Sequence, residues 1–463
     1  MKEKKRCFEG FSFYDRDGIT ARLEKMAENG WMIEEIGNFS WVYRAIPPQQ
    51  LHFAVTYFPK ASEFDPEPTE EQRTFQEFCE YTGWKLACVS GKLQIYYNEQ
   101  SCPTPIETEP TLEVQAIHRS AKGSFLISYG LLLLVAIMNL GLWCWNFWEN
   151  AIGTLSSPSS LLIVFANLIL LTVCAVELIC YFYWYAKAKK AAEHREFTKP
   201  ISTGKVQNVL LALLLIGSAL WFIDYRWGGR FERWILITSV LSVWLPILVV
   251  REVHKFLKRR KASRGVNRTV TILASFLAVF ACVGLCTSGI LYASSHGAFA
   301  ESEEETYEYQ GNTFVVAQDE IPLKLEDLTE VDPALYSTMR NGERTFLLGE
   351  YHMTQWPRFD AADYRELPRL DYDVVEVRFA PLYALCMKQL LTEKTEKPWN
   401  EGREYRAEPA QPWNAEEVYR LYDPEWEASE HYLLCYADRI VEVTFEWELT
   451  EAQKAVVGEK FGG

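Results

Sequence analysis

Two textures of hydrophobic patterning alternate along the chain. Before residue 113 and after residue 300, apolar positions recur in short periodic bursts, whereas between Phe125 and Ala293 they gather into long blocks. A helix needs about 20 mostly apolar residues, rising 1.5 Å each, to cross about 30 Å of hydrocarbon. Phe125–Trp148 meets this and ends in Trp143, Trp145 and Trp148, rings suited to a membrane–water interface. Leu161–Tyr185 also meets it and closes with Tyr181, Tyr183, Trp184 and Tyr185; Thr269–Ala293 is a third case. Val206–Ile223 and Trp234–Val250 are shorter, and the second contains Pro246. They fit a hairpin around Tyr225-Arg226-Trp227-Gly228-Gly229, a turn rich in glycine and interfacial aromatics. A soluble core helix rarely stays apolar on every face for this long. The pattern therefore predicts about five transmembrane helices: 125–148, 161–185, 206–223, 234–250 and 269–293.

The residues before the blocks, 1–113, alternate between helical and strand periods. A helical pattern from Asp17 to Asn29 ends at Gly30-Trp31, and a second from Thr69 to Thr82 ends at Gly83-Trp84. Gly30 and Gly83 stand where a helix C-terminus calls for a left-handed residue. Thr69-x-x-Gln72 has the spacing of a capping box. Each Gly-Trp leads into alternating strands, Trp31–Ile36 with Phe39–Ala45 and Trp84–Val89 with Leu93–Tyr97. Leu51–Phe58 adds a strand and Phe8–Tyr14 an opening one. The expectation is an α+β domain of two related strand–helix–hairpin units. Trp31 and Trp84 could form a paired aromatic ligand platform, although a core anchor behind each helix cap is the simpler role.

Residues 301–463 predict a second α+β domain. Strands are expected at Thr313–Ala317, Val374–Phe379, His431–Ala437 and Ile440–Trp447, the last two joined as a hairpin at Asp438-Arg439. Tyr383–Leu391 reads as a helix, and Thr450-x-x-Gln453 caps a final one. Pro357, Pro368, Pro398, Pro409 and Pro412 mark long, acidic connections.

Charge orients the whole. The mean hydropathy of -0.12 averages the apolar blocks with polar flanks. The formal net charge is -15, and from Ser294 onward 36 acidic residues face 16 basic ones, a balance that repels nucleic acid. Six basic residues lie between blocks two and three (Lys187 to Lys205), and eight between four and five (Arg251 to Arg268). The loop Glu149–Pro158 has none, and the other alternate loop has only Arg226, Arg230 and Arg233. The positive-inside rule then predicts a cytoplasmic N-terminus and an extracytoplasmic C-terminus. Met1-Lys2-Glu3-Lys4-Lys5-Arg6 is followed by no apolar run, so no cleavable signal peptide is expected. Ala298-Phe299-Ala300, after the last block, resembles a signal-peptidase site, a pattern that also arises by chance.

Phe13-Tyr14, Leu23-Glu24-x-Met26-Ala27-x-x-Gly30-Trp31 and the strands that follow resemble the bacterial family catalogued as domain of unknown function 2812. The resemblance covers the first hundred or so residues. It implies an N-terminal domain set before several membrane spans, in the bacterial plasma membrane. It brings no catalytic residues, and the family's genes often neighbour those of PadR-like transcription regulators, which implies a setting in regulation or envelope stress response.

Motif chemistry is sparse. There is no His-Glu-x-x-His, glycine-rich phosphate loop, dinucleotide fingerprint or Gly-x-Ser-x-Gly elbow, and the seven histidines are scattered. Accordingly no enzyme, cofactor or metal is expected. His352 and His431, with Asp371, Asp373 and Cys435, could be imagined as a nucleophile constellation, as could groups in any soluble domain. Glu301–Glu305 lacks the spacing of a calcium loop. Trp356, Trp399, Trp413, Trp426 and Trp447 could bind a sugar or protein, with packing the default. The 11 cysteines form no Cys-x-x-Cys pair. Cys386 and Cys435 are alone in the last domain and could pair as a disulfide if it is extracytoplasmic, a choice the sequence leaves open.

Glu177 is the clear ionisable residue within the apolar blocks. Such residues are costly and often functional. Its position near the predicted cytoplasmic end also suits a side chain reaching for the interface, or a protonated acid. The expected partners are the lipid bilayer and proteins, in a sensory or regulatory membrane protein. The alternative is an accessory component of a transport or efflux system.

Overall fold

The computed structural model describes residues 4–37, 40–226, 230–296, 305–362, 364–395, 402–423 and 427–462, with side chains throughout except at 223–226, 230–237, 239, 240, 243 and 427–429. Trp227-Gly228-Gly229, Ala298-Phe299-Ala300, Glu301–Glu304, Pro398, Trp399 and Trp426 lie outside them. The chain divides into two compact units. The first comprises Met1–Asn139, Ala166–Ala219 and Ile237–Cys286; the second comprises Leu140–Phe165, Leu220–Leu236 and Thr287–Gly463.

The first unit opens with β1 (Lys4–Cys7), α1 (Arg16–Glu28), β2 (Trp31–Ile36) and β3 (Trp41–Ala45), then β4 (His52–Tyr57), α2 (Glu70–Tyr81), β5 (Lys85–Ser90) and β6 (Leu93–Asn98). Each half forms a three-stranded antiparallel sheet, in the order β1-β3-β2 and β4-β6-β5. The internal repeat is thus visible as topology. Gly30 and Gly83 both adopt positive φ, at 80° and 89°, and end their helices in the left-handed region. Three residues beyond each glycine the pairing slips, at Ile33/Glu35 and at Leu86/Cys88, so the two halves share even their bulges.

The opening strand is displaced from its expected place. It is Lys4–Cys7, not Phe8–Tyr14, and it pairs with Trp41–Arg44. Residues 8–14 leave the sheet as an irregular segment held by Glu9, which accepts from Arg22 Nε at 2.9 Å and Tyr43 Oη at 3.3 Å.

Next come α3 (Pro110–Lys122), α4 (Phe125–Glu149), the short α5 (Ala151–Ser156), α6 (Pro158–Glu193), α7 (Gly204–Arg226), α8 (Arg230–Arg259) and α9 (Arg264–Ser295). Among the described residues four helices are long and apolar enough to cross a membrane: Phe125–Glu149, Pro158–Glu193, Gly204–Phe222 and Arg264–Ser295. Helix α8 carries the remaining apolar block, with Pro246 inside it. Large apolar side chains such as Leu131, Leu142, Phe280 and Leu285 point outward instead of into a core, the reverse of a water-soluble helix. At about 1.5 Å per residue α6 is about 54 Å long, well beyond the hydrocarbon thickness. Its later turns (Tyr181, Trp184, Ala188 and Ala192) join Tyr14, Leu23, Ile33 and Ile95 in one buried core.

The second unit adds β7 (Thr306–Tyr309), β8 (Asn312–Val315), β9 (Tyr336–Arg344), β10 (Leu348–Pro357), β11 (Leu370–Val377), α10 (Tyr383–Glu393), β12 (Glu404–Glu408), β13 (Glu417–Asp423), β14 (Glu427–Cys435), β15 (Arg439–Thr444) and α11 (Glu451–Phe461). Strands β9 to β15 form one antiparallel sheet in the order β12-β13-β14-β15-β11-β10-β9. One face packs with Val457 and Phe461 of α11, and the other with Cys386 and Leu390 of α10. The expected long connections are therefore largely strands. Pro357 is the last residue of β10, where Pro can sit without breaking the ladder. The Thr450/Gln453 capping box is closed in both directions at the start of α11.

Candidate functional site

The sequence marks Glu177 by its setting in an apolar helix, and the tertiary structure supplies its company. The carboxylate is fully buried. Its Oε1 accepts from Ser12 Oγ at 3.0 Å, from Gln207 Nε2 at 2.6 Å and from Thr203 Oγ1. Ser12 Oγ and Thr203 Oγ1 also lie 2.6 Å apart, close enough for either hydroxyl to turn its single proton to the other, and Gln207 Nε2 reaches Thr203 Oγ1 at 3.2 Å. Oε2 has no hydrogen-bond partner among the described residues. Glu177 therefore does not reach for water. A membrane helix, the start of the following helix and the irregular segment of the N-terminal domain meet on one oxygen.

Local sequence explains why that segment arrives there. Asp15 caps α1, its Oδ1 accepting from Gly18 N at 3.0 Å, so the chain must turn sharply just after Tyr14. Tyr14 is completely buried between Tyr181 (ring centroids 5.3 Å), Trp184 (5.4 Å) and Phe125 (5.9 Å). Burial foremost, and then the Glu177 carboxylate, push its hydroxyl well above the usual range. Tyr57 Oη donates to the Phe13 carbonyl at 2.6 Å and ties the segment to β4. At Gly204 a side chain would collide with the Gly10 carbonyl oxygen, so the segment lies directly against the start of α7. His118 of α3 adds a second polar link to α6, its Nδ1 lying 2.8 Å from Tyr181 Oη.

Beside this junction lies an acidic pair around one arginine. Arg16 forms an ion pair with Glu113 and lies 3.2 Å from Asp17. Burial, then the neighbouring Glu113 charge, raise Glu107 to about 7 against the opposing pull of Arg16. Glu107 borders a cavity of about 560 Å³ together with Arg16, His52 and Trp84. A carboxyl whose folded pKa is raised binds its proton more tightly in the folded state. Stability from Glu107 is therefore fully present below about pH 4.5 and is lost as pH rises towards 7. Glu107→Gln is expected to remove this slope and raise the melting temperature at pH 8 relative to wild type. Melting curves of the full chain in detergent from pH 5 to 8 check this, and parallel profiles for the two proteins would contradict it.

Trp31 and Trp84 do not come together as a platform. Trp31 is half-buried under Lys5, whose Nζ lies 5.4 Å from the ring, at the edge of the main N-terminal core. Trp84 is buried in a separate small cluster with Cys79 and Tyr96, its Nε1 donating to the Thr104 carbonyl at 2.9 Å. Each bulky ring closes its own half of the repeat.

In the second unit the strand register sets the imagined constellation, His352, Asp371, Asp373, His431 and Cys435, on one face of the sheet. His352 lies between Asp373 (2.7 Å) and Asp371 (3.2 Å) on a half-exposed strand face. His431 is buried on the same face in β14, with Thr444 Oγ1 at 2.7 Å, Tyr405 Oη at 2.9 Å and Glu442 at 3.1 Å, and Thr444 and Glu442 stand opposite Asp371 and Asp373 in the register. Cys435 points at Met387 Sδ, 3.4 Å away. The disulfide that the sequence left open is not formed: Cys386 and Cys435 are both free and buried among apolar side chains on the α10 side of the sheet. Burial pushes their thiols up to about 11 and about 12, so neither supplies a thiolate at neutral pH. Trp413 is a core residue, Trp447 packs at the core's edge, and Trp356 is half-exposed. Among the described residues no three His, Cys, Asp or Glu side chains form a set that could hold a metal ion.

The second unit has a junction of its own. Helix α5, between α4 and α6, lies in the apolar cluster of α10 and the sheet through Ile152 and Leu155. Gln389 Oε1 accepts from Ala151 N at 2.8 Å and Ile152 N at 3.0 Å, meeting two of the amide donors a helix start leaves open. Ser156 Oγ donates to Glu350 at 3.1 Å. No spacing rule marks α5, because its partners lie some 190 to 240 residues along the chain. Comparison with family models, with curated proteins and with solved structures finds no match for the chain.

Proposed function

We propose that this chain is a sensory or regulatory protein of a bacterial plasma membrane, in which an extracytoplasmic C-terminal domain and a cytoplasmic N-terminal domain communicate through about five spans. The observation that carries the proposal is the Glu177 junction. A buried carboxylate on a membrane helix, bonded by Ser12 from the soluble domain and by Thr203 and Gln207 before and within the next helix, makes those elements shift together. Helix α6 begins directly after α5, the helix seated in the C-terminal unit, so displacement there has a continuous helix to act on. The basic loops at Lys187–Lys205 and Arg251–Arg268 support the orientation. The resemblance of the first hundred residues to domain of unknown function 2812 agrees with a regulatory setting.

The test is coupling itself. An antibody fragment bound to the C-terminal domain of the full chain in nanodiscs is expected to change amide exchange in residues 10–15 and 203–208. Unchanged exchange at saturating fragment would overturn the proposal. Oε2 of Glu177, without a hydrogen-bond partner among the described residues, favours one alternative, an accessory of a transport system that carries protons. In that case Glu177→Gln abolishes flux, while exchange at residues 10–15 ignores the fragment.

A further inference from the structure

Two large apolar side chains of the second unit are left uncovered by its cores: Phe346 is 77% and Phe379 50% exposed. They stand on loops bonded to each other, since the backbone N–H groups of Arg378 and Phe379 both donate to the Leu347 carbonyl at 3.1 Å. The first loop is fastened to the link between two candidate spans, with Thr345 Oγ1 donating to the Leu155 carbonyl at 2.7 Å. On their buried sides, Leu347 and Leu382 pack into the cluster that holds Ile152 and Leu155, together with Phe147 of α4 and Leu161 of α6. The loops therefore stand level with the end of one membrane helix and the beginning of the next. That end of α4 also exposes Trp145 (65%) and Trp148 (86%), rings of the kind that settle at the headgroup level.

We propose that the Phe346 and Phe379 loops form a bilayer anchor. Both rings enter the leaflet surface that receives the end of α4, and the exposed Arg344 and Arg378 beside them meet lipid phosphates. Lipid is the occupant that continuity selects: loops bound to a six-residue helix between two spans lie against the surface those spans enter. The anchor restricts the C-terminal domain at a second place besides α5, so that the domain rides on the membrane surface.

The proposal rests on the membrane reading of α4, and its test separates the two. A photoreactive benzophenone side chain replaces Phe346, Phe379, Leu134 or Trp356, one at a time, in the full chain in phosphatidylcholine–phosphatidylglycerol nanodiscs. Leu134 reports the outward face of α4, where it is 53% exposed. Trp356 lies eight residues along β10 from Leu348, about 26 Å away at strand rise. After illumination, a mass increase of one phospholipid is expected at positions 346, 379 and 134, with only background at 356. An adduct at 134 with none at either 346 or 379 overturns the anchor and leaves the span standing. Adducts from 346 or 379 to a second protein chain overturn it equally, and loss of the adduct at 134 overturns the membrane reading beneath both.

Discussion

Glu177→Ala is expected to destabilise the first unit by about 3 kcal/mol and to free residues 8–15 from the helices. The substitution removes an acceptor shared by two buried hydroxyls and the half-buried Gln207 amide, and Ser12, Thr203 and Gln207 must then satisfy one another or go unmet. The loss stays moderate because the Ser12–Thr203 bond survives without the carboxylate. Glu177→Gln is expected to cost about 1 kcal/mol, since its carbonyl still accepts while its amide occupies the site where Oε2 has no partner. Amide exchange across residues 8–15 and 203–208 reads the difference. Equal protection in wild type and Glu177→Ala would mean that the aromatic packing of Tyr14 alone holds the segment.

The second large effect is expected at the opposite junction. Ile152→Ala empties a side chain that is 1% exposed, in a cluster shared by the sheet, α10 and α5. Removing a buried Ile costs about 2 to 5 kcal/mol. Here the loss falls on a contact far apart in sequence, so α5 should leave its seat before the sheet melts. Gln389→Ala, which strips the acceptor from two amides, is expected to act in the same direction by about 1 to 2 kcal/mol. Limited proteolysis between Asn150 and Ser157 reports the release. In either variant the antibody-fragment response at residues 10–15 should vanish, and a retained response would show that α5 does not carry the signal.

Each sheet-rich domain was legible in the sequence only as far as its elements declare themselves locally. The repeat in the N-terminal domain did so, because a glycine at positive φ followed by a tryptophan ends each helix in the same way. The sheet of the C-terminal domain did so only in part. The strands expected near 374, 431 and 440 correspond to β11, β14 and β15, the three central strands, whose stretches Val374–Val377, Tyr432–Cys435 and Ile440–Val443 feed the cores on both faces and so read as apolar runs. The strands missed, β9, β10, β12 and β13, are the outer ones. Strand β9 is largely exposed, β10 turns Gln355 inward to bond Leu325 N and Glu326, and β13 is bulged between Arg420 and Tyr422, each of which blurs a period of two.

By itself, then, the sequence determined the long apolar helices, the capped and repeated N-terminal units and the solitary carboxylate at position 177, because these depend on neighbours within a turn or two. Tertiary structure alone decided what Glu177 touches, where α5 is seated and which strands complete the sheet. Those contacts join residues roughly 26 to 240 positions apart, and a hydrogen bond between such residues leaves no period in the chain for a pattern to reveal.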